Sequence, residues 1–184
     1  MRRFTDLVPL PSSGSLNTGV EPCPTDLILR RFGLPTRVLS AECADLRGLR
    51  REWASRMVTS DIGPFSATGH RMATDLLQRS LAEVRRAKPA LYDVLGSAGM
   101  LCVRHVRGHP GLASNHSFGL AIDFTIDGQL DAPGDGQVQR GLLDLYSILK
   151  RFGWFWGAEF GREDAMHFEV GSRVVRDWIK RGLF

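Results

Sequence analysis

Two short stretches alternate apolar and polar residues with period two, and they constrain the fold more than any other feature of the chain. In residues 120–126, Leu120, Ile122 and Phe124 alternate with Ala121, Asp123 and Thr125. In residues 166–170, Met166, Phe168 and Val170 fall on one side, His167 and Glu169 on the other. Successive side chains of an extended strand point to opposite faces. Each stretch therefore predicts a strand with one face for a core and one face carrying ionisable groups. The apolar face of such a sheet must be covered, and the rest of the chain supplies helices for the purpose.

The clearest helix spans residues 68–88, where Met72, Ala73, Leu76, Leu77, Leu81 and Val84 recur at steps of three and four. Pro89 interrupts it, and Gly96 with Gly99 is read as ending its last turns. Residues 26–31, 42–56, 138–152 and 172–180 read as further helices, and residues 100–106 and 154–156 as further strands. Helices that precede and punctuate short strands predict an α+β fold, with a small, largely antiparallel sheet and helices packed on one side.

At 184 residues the chain is expected to form one domain, 1–184, with residues 1–24 an irregular N-terminal arm rich in proline, glycine and serine. No apolar run is long enough for a membrane span, and the opening six residues do not read as a secretory signal; location is left open. The net charge of +4 is spread over scattered arginines, without the clustered stripe of a nucleic-acid binder. Cys23, Cys43 and Cys102 are odd in number and far apart, so they read as core or surface thiols.

The alternation sends Asp123 and His167 off the core faces of their strands. Gly119 allows a tight entry into the first strand, and small Ala121 leaves room beside Asp123. If the strands are neighbours, His116, Asp123 and His167 converge as two imidazoles and a carboxylate. That donor set suits zinc with an open fourth position. Either histidine alone would more often be a surface or hydrogen-bonded core residue.

The pattern Ser-x-His-x-x-Gly-x-Ala-x-Asp at 114–123, followed by Asp-x-x-His-Phe-Glu at 164–169, resembles the zinc peptidases of the D-alanyl-D-alanine carboxypeptidase and L-alanyl-D-glutamate endopeptidase family. The resemblance extends over about residues 90–170 and includes Gly153-Trp154-Phe155-Trp156-Gly157. It implies zinc held by His116, Asp123 and His167, and a general base at Asp164. Glu163 next door reads as a solvated loop charge. The resemblance places a substrate- or oxyanion-contacting arginine at Arg104, with Arg107 as the alternative. Ser114 also matches the motif, as a substrate-side or turn-stabilising hydroxyl, and Trp156 reads as either a subsite wall or a packing residue.

The implied substrate is a peptidoglycan stem peptide. Aspartate where the carboxypeptidase branch has glutamate leans the reading toward an internal bond between L-alanine and D-glutamate; removal of terminal D-alanine and a non-catalytic zinc-containing wall-binding module are the alternatives. The sequence is silent on oligomeric state.

Overall fold

A computed structural model describes residues 3–12 and 14–184. Its strands are β1 (Leu7–Pro9), β2 (Met57–Asp61), β3 (Ser66–His70), β4 (Leu95–Gly99), β5 (His105–Val106), β6 (His109–Ala113), β7 (Ala121–Ile126), β8 (Gln137–Gln139), β9 (Trp154–Trp156) and β10 (His167–Val170). Its helices are α1 (Thr25–Phe32), α2 (Arg51–Ala54), α3 (Arg71–Ala87), α4 (Pro89–Tyr92), α5 (Arg140–Leu149) and α6 (Ser172–Lys180). The fold is α+β, as the mixed periodicities predict.

The two alternating stretches become the central pair of a four-stranded antiparallel sheet ordered β4-β7-β10-β9. Ile122, Phe124 and Phe168 are fully buried, and Trp154 and Trp156 of β9 are buried with them. Each such side chain contributes about 1.5–3 kcal/mol by leaving water, so this face fixes the register. α5 packs against β7 and against α3. The indole nitrogen of Trp154 donates to Ser80 Oγ at 3.0 Å, tying β9 to α3. Along α3 the stripe Ala73, Leu76, Leu77, Leu81 and Val84 is buried as its spacing requires.

Four readings of the sequence need correction. The strand expected at 100–106 lies earlier, at β4, and residues 100–104 run irregularly into β5. Gly96 is an interior strand residue; a side chain there would collide with Thr125 Oγ1 on β7, so the glycine marks close approach of two strands. Residues 42–56 hold only a 3-10 turn at Leu46–Gly48 and the single turn α2, while the hairpin β2–β3 went unforeseen because its residues are mostly small and polar. Lastly, Cys43 and Cys102 form a disulfide across 59 residues, and the leftover Cys23 is a buried free thiol. An odd count left one thiol over and did not forbid a pair.

Candidate metal centre

In the antiparallel register His167 lies opposite Asp123, so both point from the same face, away from the aromatic core. His116 arrives from a 3-10 turn, Asn115–Phe118, that directly precedes β7. Ser114 caps that turn, its hydroxyl accepting from the His116 amide at 3.4 Å. Gly119 ends it in the left-handed region at φ +62°, where a side chain would also collide with the His70 backbone nitrogen of β3. The loop is thus pressed against its neighbour, and His116 is aimed over the sheet.

Both imidazoles have their orientation set by the nitrogen that faces away from the centre. His116 Nδ1 donates to the Met100 carbonyl at 2.9 Å, leaving Nε2 bare. His167 Nε2 lies 3.0 Å from Glu169 Oε2, leaving Nδ1 to face inward. His116 Nε2, His167 Nδ1 and Asp123 Oδ1 form a triangle with sides of 3.1, 3.1 and 3.2 Å. A tetrahedral ion with bonds near 2.0–2.2 Å spans ligand edges of roughly 3.3–3.6 Å, a little longer than these sides. Together the three side chains form a group able to hold a metal ion.

The electrostatics point the same way. Burial opposes a charge on His167, but hydrogen bonds to Asp123 and Glu169 outweigh it and push the group up to about 10. Burial likewise opposes ionisation of Asp123, and the two histidines hold its carboxyl well below the usual range. The centre favours added positive charge, as a cation site does.

Asp164 lies in the turn before β10, with its carbonyl accepting from the His167 amide at 3.1 Å. Its Oδ1 is buried and has no hydrogen-bond partner among the described residues. Burial, and then Asp123, raise its pKa, against the pull of His167, His116 and Arg107. Such a carboxyl is poised to exchange a proton. Glu163 is engaged elsewhere: its Oε1 accepts from the Gly136 amide at 2.6 Å, and that hydrogen bond leads in lowering its pKa.

Arg104 is half-buried, and its backbone is clamped to the metal loop by Ser117, whose Oγ donates to the Arg104 carbonyl at 2.8 Å and accepts from its amide at 3.1 Å. Burial, then Arg107, lower its pKa, while Asp123, Asp164 and Glu42 act oppositely. Both arginines therefore border the centre, Arg107 from an exposed position. Arg104 lies just before β5 and Arg107 just after it, so strand alternation does not separate the two.

Trp156 does not fit a substrate-contacting role. It is fully buried, stacks on Tyr146 and Phe168, and donates from its indole nitrogen to the Ala165 carbonyl at 2.6 Å. Ser114 is also buried and its hydroxyl serves its own turn. The sequence reading passed over Glu169, Asn115 and Asp131. Asp131 is buried, accepts from the Gln139 amide at 2.6 Å, and is raised to about 6 by burial and by the nearby acids Asp135, Asp164 and Glu163. Glu169 had a legible signal, since the alternation puts it on the His167 face; Asp131 had none.

Residues 107–170 match a family described as D-alanyl-D-alanine carboxypeptidase. Over this site-bearing segment the chain is similar to that family. The matched stretch contains His116, Asp123, Asp164 and His167, and begins just after Arg104. Comparisons with curated proteins and with solved structures gave no match. No helix among the described residues is long and apolar enough to cross a membrane.

Proposed function

We propose that the protein is a zinc-dependent peptidase that hydrolyses a peptide bond in peptidoglycan stem peptides. The observation that carries this reading is the triangle of facing ligand atoms on His116, Asp123 and His167, with the unpartnered carboxylate oxygen of Asp164 buried nearby. His116, Asp123 and His167 would hold the ion. Bound there, zinc would supply Lewis acidity that acidifies water and polarises a carbonyl.

The chain's own residues do the rest. Asp164 takes a proton from the attacking water as the oxygen bonds to the scissile carbonyl carbon, and returns it to the amine nitrogen as the C–N bond breaks. Its depressed acidity suits both halves of that exchange. Arg104 places a fixed positive charge beside the centre, where negative charge develops on the carbonyl oxygen.

Aspartate as the base supports cleavage between L-alanine and D-glutamate. The description of the matching family supports the second reading, removal of terminal D-alanine. The test is metal analysis of the purified protein together with mass spectrometry of digested peptidoglycan. An internal cut gives fragments ending in L-alanine, and carboxypeptidase action gives a loss of one D-alanine. Zinc-loaded protein that releases neither product would overturn the hydrolase assignment and favour a wall-binding module.

A further inference from the structure

The carboxylate behind His167 is built into the fold at three points. Glu169 is 2% exposed, and burying a carboxylate is costly unless its oxygens are fully partnered. The Cys23 amide donates to Oε1 at 2.8 Å, and Asn115 Nδ2 donates to Oε2 at 2.8 Å. His167 Nε2 completes the set at 3.0 Å. Asn115 is held from its other end as well, where the Thr25 hydroxyl donates to its Oδ1 at 2.5 Å, while the acceptor-only carboxylate keeps Nδ2 turned toward Glu169. Cys23 and Thr25 belong to the segment that leads into α1. That segment is anchored in turn by Asn17, which pairs with the Trp156 backbone in both directions at 2.9 Å.

We infer that Glu169 is the positioning residue for His167, and that the N-terminal segment through Cys23 and Thr25 is a strap that sets Glu169. Facing two obligate donors, the Glu169 carboxylate has only acceptance to offer His167. Nε2 must keep its hydrogen, and Nδ1 is the nitrogen presented to the ion. The strap thereby makes residues outside the family-matched stretch part of the metal centre. This inference rests on the metal reading proposed above.

A glutamine at 169 has one acceptor and one donor where the fold supplies three donors, so one pairing must fail. The experiment is zinc affinity of the full chain by chelator competition, with thermal unfolding of each variant and proton NMR of the imidazole N–H groups in the zinc-loaded state. Glu169→Gln is expected to bind zinc about ten- to a hundredfold more weakly and to lose or shift the Nε2–H signal of His167. Thr25→Val is expected to weaken binding by about threefold or more, the worth of one hydrogen bond, with Thr25→Ser restoring it. The Thr25 pair decides the matter if Glu169→Gln fails to fold. Folded Glu169→Gln and Thr25→Val proteins with unchanged affinity and an unchanged His167 signal overturn the strap alone. Wild-type protein that binds no zinc overturns the metal reading, and the strap with it.

Discussion

Asp123 and His167 stand directly opposite each other on neighbouring antiparallel strands, with Asp123 Oδ1 3.1 Å from His167 Nδ1. Two functional side chains are thereby fixed by the same register that buries Ile122 and Phe168 behind them. Removing the carboxylate leaves the register intact and takes away a donor. Asp123→Ala is expected to fold and to drop from about one zinc per chain to near none, read by elemental analysis after dialysis.

The base assignment separates two adjacent acids. Asp164→Ala is expected to keep its zinc and lose about 10²- to 10⁴-fold in turnover, the usual worth of a general base. Glu163→Gln removes an acceptor for the Gly136 amide in a surface loop and should leave turnover near wild type. Turnover that survives the first change and falls with the second would exchange their roles.

Gly119 carries two constraints at once, a positive φ and a backbone neighbour where a side chain would stand. Gly119→Ala is expected to cost about 1–3 kcal/mol from backbone strain alone, with a further loss as the His116 turn is forced off β3. Gly48 is the control: nothing lies within 4 Å of a side chain built there, and its φ is not positive. Urea unfolding should find Gly48→Ala within about 1 kcal/mol of wild type.

His70 gives the stability a pH dependence separate from the centre. It accepts from the Met72 amide at 3.3 Å as the N-cap of α3 and packs against Phe184 and Trp178. Burial first, then Arg56 and Arg71, lower its pKa from 6.5 to about 4. The unfolded chain therefore binds the proton more readily, and the stabilisation is full above pH 6.5 and lost as pH falls through about 4. The shift corresponds to about 3 kcal/mol across that window. His70→Asn keeps a capping acceptor but does not titrate, so its denaturation midpoint should fall less between pH 7 and 4; parallel curves would show that His70 is not the source.

The strands bearing the site were legible because period-two alternation is local, and burial of one face turns it into register. Helices α3, α5 and α6 were legible for the same reason at period 3.6. The hairpin β2–β3 was hidden because its residues, such as Thr59, Ser60, Thr68 and Gly69, have little apolar contrast, and its pairing comes from backbone bonds. Gly96 misled because a glycine at a helix end and a glycine under a neighbouring strand look alike in one dimension. At the site, motif and alternation marked the three donors and Asp164. The partners that orient the histidines, Met100 through its carbonyl and Thr25 through Asn115 and Glu169, act across distances in the chain that no spacing rule reaches.

The Cys43–Cys102 bond encloses β2, β3 and all of α3 within one covalent ring. A protease that cuts the exposed turn at Gly63 would open the ring without releasing a fragment. The nicked molecule would run as one band on a gel until a thiol is added, and would keep Met100, whose carbonyl orients His116, tethered two residues from the crosslink.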